Sequence, residues 1–290
     1  MKSNPLVSVI IPTNNRNEKL LNCLKSVFNS TYKDIEVIVV NDAPINKLEP
    51  LLKRYAVVLL NNKRRMFAAY SRNRGAMKAK GKLLFFLDDD NILDKRCISK
   101  MVMVYKNSMG LLGPAMYRKD GIPWFYGGSI NWISPYANTF NKKLLRRKLI
   151  KTDVIPNAYM ITKRKYLDAG MENYKLFPFH DDLDIAQKLI AKGYVNYILS
   201  GAKTTHDYGD IREHISPDRL YQMVRCNISA ERLYAPPGRR KLFFIIFMPV
   251  HLLFYFLYYI PLKGINKWAL YNSYIAGLVD GLSIQVRKES

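Results

Sequence analysis

Four short runs of almost uninterrupted apolar residues punctuate the N-terminal part of this chain: Val7–Ile11, Ile35–Val40, Val57–Leu60 and Leu83–Leu87. Between the first two, Leu20, Leu21, Leu24, Val27 and Phe28 recur at the helical period behind Asn17, which reads as a helix cap. A basic helical segment from about Phe67 to Lys80 leads into the fourth run. Strands without polar alternation, separated by helices, belong to a parallel sheet covered on both faces. The expectation is therefore an α/β fold with a mostly parallel sheet flanked by helices. No GxGxxG follows the first strand, so a dinucleotide-binding fold has no support.

The fourth run ends in three consecutive acids, Asp88, Asp89 and Asp90. Like charges at the end of a buried strand are unfavourable unless a cation or a function compensates them. In open α/β sheets ligands bind beyond the carboxyl ends of strands. Adjacent carboxylates there suit a divalent cation shared with a substrate phosphate. A turn that caps a helix from Leu93 is the other reading of the run.

The surroundings are strongly basic. The 290 residues carry a net charge of +23, and Lys63 to Lys82 holds eight bases and no acid. Such a surface implies anionic partners, whether nucleotide phosphates, acidic lipid or nucleic acid. Hydrophobic residues at 49% and charged residues at 24% are globular values. Cys23, Cys97 and Cys226 have no metal-binding spacing and read as buried small hydrophobes in a reducing compartment. The first apolar run is strand-length and ends at Pro12, so no signal peptide is expected.

The chain length suits one large domain with an appendage, divided as 1–215 and 216–290. From Gly110 to about Pro156, glycines and prolines mix with Trp124, Phe125, Tyr126 and Trp132, as in a pocket wall or a loop. A second acidic group, His180-Asp181-Asp182-Leu183-Asp184, opens a helical stripe of Leu183, Ala186, Leu189 and Ile190 that Gly193 ends. Beyond 216, Leu242 to Leu262 carries no formal charge, and as a helix would reach about 32 Å, a bilayer's hydrocarbon thickness. Pro249 and His251 interrupt it, Arg239, Arg240 and Lys241 precede it, and Lys263 and Lys267 follow. A single span, a re-entrant hairpin and peripheral association all fit, with Tyr255, Tyr258, Tyr259, Trp268 and Tyr271 as interfacial anchors. The last region, a helical membrane-associated appendage, contains Gly277-Leu278-Val279-Asp280-Gly281-Leu282.

Five motifs in order carry a resemblance. They are Val7 to Arg16 (VSVIIPTNNR), Val37 to Asp42 (VIVVND), Ser71 to Gly75 (SRNRG), Phe86 to Asn91 (FLDDDN) and His180 to Asp184 (HDDLD). Together, over about 200 residues, they resemble family 2 inverting glycosyltransferases of the GT-A fold. The resemblance implies a nucleotide-diphospho-sugar donor. Pro12, Thr13 and Arg16 would line the nucleotide pocket, and Asp42 would accept hydrogen bonds from the base. Arg72 would lie near the donor phosphates, with Asp88 or Asp89 near the ribose. Asp90 would ligate Mg²⁺ or Mn²⁺, with His206 as a further ligand. Asp182 would be the catalytic base, with Asp181 beside it in the position usually held by a glutamate. Asn41-Asp42 is followed by Ala43-Pro44, a departure that leaves uridine, guanosine and thymidine open.

That chemistry needs these residue types, because an acceptor hydroxyl becomes nucleophilic only when a carboxylate takes its proton. The acceptor expected is a glycan or a polyprenyl-linked saccharide, with the enzyme on an anionic membrane surface at the cytoplasmic face. Two rivals stand beside this reading. Asp88-Asp89-Asp90-Asn91-Ile92 is similar to the DxDx[TV] of haloacid-dehalogenase-type phosphatases, a motif that normally lies on a first strand rather than a fourth. A basic nucleic-acid binder is the other, but no binding motif is present, two acidic clusters would oppose a phosphate backbone, and no nucleic acid is expected as partner.

Overall fold

The computed structural model describes residues 4–132, 137–139, 146–156, 158–176, 180–207, 216–250, 253 and 266–283. Two compact units divide the chain. The first comprises Met1–Ser129, Thr139–Tyr174 and Asp181–Gly209; the second comprises Ile130–Asn138, Lys175–His180 and Asp210–Ser290.

The first unit is built on a ten-stranded sheet. Its strands are β1 (Val7–Thr13), β2 (Ile35–Asn41), β3 (Val57–Asn61), β4 (Leu83–Leu87) and β5 (Asn91–Leu93), followed by β6 (Met109–Tyr117), β7 (Pro123–Phe125), β8 (Leu149–Thr152), β9 (Ala158–Thr162) and β10 (Val195–His206). The spatial order is β8-β10-β6-β9-β4-β1-β2-β3, with β5 paired to β10 and β7 to β6. Helices α1 (Asn17–Phe28), α2 (Glu49–Leu52), α3 (Phe67–Lys78), α4 (Cys97–Val104), α5 (Lys163–Asp168) and α6 (Asp181–Ala191) connect the strands. β1 and β4 are buried along their whole lengths, as expected of apolar strands covered on both faces.

The sheet corrects the mostly parallel expectation. β1 to β4 are parallel neighbours, but β9 runs antiparallel between β4 and β6, and β5, β7 and β8 are antiparallel too. The fold is mixed α/β. Nor do the residues after the aspartates begin a helix from Leu93. Asn91–Leu93 is a strand because it finds a partner in Thr204–His206, and α4 starts at Cys97. Asn17 is the first helical residue rather than a cap. Arg16 occupies the cap position and makes no side-chain cap bond. α6 buries Leu183, Ala186 and Leu189 but leaves Ile190 exposed, and Gly193 ends it in the left-handed region at φ 82°. All three cysteines are buried and free.

The second unit contains α7 (Pro217–Tyr234), α8 (Pro237–Leu242) with a π turn (Phe243–Phe247) continuing it, and α9 (Lys267–Ser283). Leu220, Val224, Ile228, Phe243, Leu270 and Tyr274 form its core. Gly277 and Gly281 let α9 approach α7 closely: a Cβ at Gly277 would lie 2.6 Å from the Tyr221 carbonyl oxygen, and one at Gly281 2.7 Å from Ile228 Cβ. Among the described residues no helix is long and apolar enough to cross a membrane. Of the uncharged stretch Leu242 to Leu262, the part after Val250 other than Leu253 lies outside the described residues, as do Tyr255, Tyr258 and Tyr259.

Candidate active site

The site begins with strand register. β1 and β4 are parallel, with Ile10 opposite Phe86, so extending both strands places Thr13 beside Asp89. The Thr13 hydroxyl donates to Asp89 Oδ2 at 2.6 Å. Pro12 is buried in β1, one residue before. Arg16 reaches back from the start of α1, with Nη1 at 3.3 Å from Asp89 Oδ1 and 2.9 Å from Asp90 Oδ2. A guanidinium has no acceptor and cannot cap a helix N-terminus, so the Arg16 side chain serves the two acids instead.

Asp88 is held from the other side. Gly75 lets α3 press onto β1, since a Cβ there would sit 2.4 Å from Ile10 Cγ2. One turn earlier, the buried Arg72 donates from Nη2 to Asp88 Oδ1 at 2.6 Å. Its Nη1 pairs with Glu172 Oε2 at 3.2 Å. Glu172 is itself buried and accepts from the Tyr159 hydroxyl, and Asn73 Nδ2 donates to its carbonyl at 2.8 Å. Neither Glu172 nor Tyr159 belongs to a motif in the sequence. A lone acid after Gly170 gives no signal of its own.

Asp90 meets His206 through β5. The antiparallel pairing sets His206 opposite Asn91, and the Asp207 N–H donates to the Asp90 carbonyl at 2.7 Å. His206 Nε2 then lies 3.3 Å from Asp90 Oδ1. The Trp124 ring lies over His206, with centroids 4.6 Å apart, which gives the aromatic stretch a place in the site. Lys19 Nζ donates to the Asp207 carbonyl at 2.6 Å and Lys119 pairs with its carboxylate at 2.9 Å.

Each aspartate is therefore met by donors or cations, with Arg16 shared between Asp89 and Asp90, which is how the fold accommodates three adjacent acids. Asp89 and Asp90 titrate differently. Burial pushes the Asp89 carboxyl up to about 6, although Thr13 and Arg16 oppose the shift. Burial would also raise Asp90, but the hydrogen bond and charge of His206, with Arg16 and Lys19, hold it below the usual carboxylate range. Burial, reinforced by the aspartates, pushes the Cys23 thiol well up, so it stays protonated and is a packing residue.

Asp42 and Asp182 are set by separate local structure. Asp42 is buried at the end of β2, where its N–H donates to the Thr13 carbonyl at 2.8 Å. Its carboxylate accepts from Asn62 Nδ2 at 2.6 Å and from the Met66 and Phe67 N–H groups, both at 2.7 Å. These bonds hold Phe67 at φ 69° as α3 begins, a conformation costly for a non-glycine residue. With three bonds accepted, Asp42 retains room for about one more. Asp182 is half-buried in the first turn of α6, and its Oδ1 accepts from the Leu183 N–H at 2.9 Å. The side chain of Asp181 lies outside the described residues. Asp184, one turn in, is fully buried, pairs with Lys188 at 2.8 Å and accepts from the Asn173 N–H.

Among the described residues no group of three or more His, Cys, Asp or Glu side chains is arranged around a metal position. Asp90 and His206 offer one oxygen and one nitrogen donor close together, a set that suits Mn²⁺ or Mg²⁺ when substrate phosphates complete the coordination.

The family model described as Glycosyl transferase family 2 matches residues 8–170. An uncharacterised glycosyltransferase of Methanocaldococcus jannaschii is 29% identical over 199 residues, covering 66% of this chain and 66% of its own. The poly(ribitol-phosphate) beta-N-acetylglucosaminyltransferase TarP of Staphylococcus aureus is 35% identical over 122 residues, 40% of this chain and 37% of its own. Among solved structures, GalNAc-T7 with UDP, GalNAc and Mn²⁺ superposes with a TM-score of 0.65 at 19% identity, over 83% of this chain and 52% of that one. That likeness is one of fold, and the fold is GT-A-like. This chain spans two thirds or less of the length of each of these proteins.

Proposed function

The chain belongs to glycosyl transferase family 2, and from that premise we propose that it moves a sugar, with inversion, from a nucleotide-diphospho-sugar to an acceptor hydroxyl. The acceptor in this reading is a glycan or a polyprenyl-linked saccharide. The observation that carries the donor half is the cluster of Asp88, Asp89 and Asp90 at the carboxyl end of β4, with Arg16, Arg72 and His206 around it. Acids and cations so interleaved suit a ligand that is anionic at its phosphates and polar at its ribose. TarP, by its name, transfers a sugar to a phosphate-linked polymer, which supports a glycan acceptor here.

Each residue then has a task. Thr13, Arg16 and Pro12 border the nucleotide, and Asp42 accepts from the base through its remaining position. Asp88 or Asp89 holds the ribose, and Arg72, fixed by Glu172, faces the donor phosphates. Asp90 and His206 would hold Mg²⁺ or Mn²⁺, which when bound neutralises charge on the departing diphosphate. GalNAc-T7 was solved with Mn²⁺ and UDP, and this supports the same use of metal here. Asp182 takes the acceptor's proton as its oxygen attacks the anomeric carbon from the face opposite the diphosphate, with Asp181 beside it. No covalent intermediate is required.

The anomeric configuration of the product tests the stereochemistry. With an α-linked donor, a β-glycoside by proton NMR is expected. An α-glycoside would refute inversion and the role given to Asp182.

A further inference from the structure

The second unit has an apolar face that its own core does not use. α8 and its π turn put Phe243 and, less deeply, Phe244, Phe247 and Met248 against α7 and α9. The same helical stretch is apolar on its other side as well. Leu242, Ile245, Ile246 and Val250 are exposed at helical spacing, Ile245 by 72% and Val250 by 59%, and Leu253 continues the series. A helix apolar all round is normally enclosed, so an outward stripe of this kind marks an interaction surface.

The charge beside it selects the partner. Arg239 and Lys241 are exposed one turn before the stripe, and Arg240 is half exposed. From Arg232 to Val279 the sequence contains six bases and no acid. Trp268 and Tyr271, at the start of α9 in the same unit, are exposed as well. We propose that this face seats the protein on an anionic lipid bilayer, with α8 and its π turn lying in the plane of the headgroups. Apolar side chains would enter the acyl boundary while the bases meet lipid phosphates. In this reading the described part of the helix lies along the bilayer rather than through it, because Phe243 and Phe247 hold its other side to the core. A second copy of the chain fits less well, since pairing two such faces brings two basic clusters together with no acid between Arg232 and Val279 to offset them.

Flotation of the full chain with vesicles tests the proposal. The chain should float with phosphatidylcholine vesicles containing phosphatidylglycerol, weakly with phosphatidylcholine alone, and less in high salt. Ile245→Asp with Ile246→Asp should weaken partitioning by roughly tenfold for each residue. Arg239→Glu with Lys241→Glu should remove the preference for anionic vesicles, at about fivefold for each base. All four positions are solvent-facing, so an unchanged circular dichroism melt should accompany these losses. Alkaline carbonate should release the bound protein. Failure of the parent chain to float, undiminished flotation of the aspartate variant, or resistance to carbonate would each overturn the proposal. So would a concentration-dependent dimer that the aspartates dissociate.

Discussion

His206 Nε2 lies 3.3 Å from Asp90 Oδ1 because Asn91–Leu93 folds back as a strand against the end of β10. Two residues far apart in the chain are thus fixed by the hydrogen-bond ladder beside them. In the proposed function this pair holds the cation, so Asp90→Ala and His206→Ala should each weaken Mn²⁺-dependent donor binding by about 100-fold. Binding measured in EDTA should be the same for both variants and the parent. A calorimetric titration decides it, and unchanged Mn²⁺-dependent affinity in either variant would remove that residue from the role.

In the proposed function Asp182 has a different task. Asp182→Asn should reduce transfer by about 10²–10⁴-fold while leaving donor affinity within about twofold of the parent. Loss of donor binding on the same scale as the loss of turnover would show that the carboxylate serves the donor instead.

The buried pair of Arg72 and Glu172 predicts a stability effect. Glu172→Gln removes the charge from one of the guanidinium's carboxylate partners and deprives the Tyr159 hydroxyl of a charged acceptor. Breaking a buried pair from one side should cost about 3 kcal/mol in urea unfolding. An unchanged midpoint would mean that the pair contributes nothing to the folded state.

In the second unit, Glu231 is fully buried, and among the described residues neither carboxylate oxygen has a hydrogen-bond partner. Burial raises its carboxyl from 4.5 to about 8. The folded state then binds the proton more tightly than the unfolded chain does. This contribution is fully present below about pH 4.5, declines by about 1.4 kcal/mol per pH unit above it, and is lost through about pH 8. Glu231→Gln should flatten that decline and make the variant the more stable protein at pH 8.5. Parallel pH profiles for the two proteins would contradict it.

Much of this site could be read before the structure. The apolar run Leu83–Leu87 forms β4 with those same bounds, and β1 and β2 lie where their branched residues put them. Local pattern suffices there, because a parallel strand buried on both faces writes its burial into consecutive residues. Pairing is not written that way. Asn91-Ile92-Leu93 can open a helix or form a strand, and only β10, far along the chain, decides between them. The antiparallel course of β9 between β4 and β6 is equally a matter of partners. Arg72 was legible through its motif, whereas Glu172, which fixes it, was not, since a single buried acid leaves no periodicity. Trp124 stood out as an aromatic among glycines, but its ring contact with His206 needed the fold.

The central claim is that this chain uses a nucleotide-diphospho-sugar, and a donor panel tests it most directly. Release of nucleoside diphosphate and donor binding would be measured across uridine, guanosine and thymidine sugars with Mn²⁺, Mg²⁺ or EDTA. Saturable selection of one donor, lost in EDTA, is the expected result and names nucleotide and sugar together. A folded protein that binds none of them in any metal would contradict the claim.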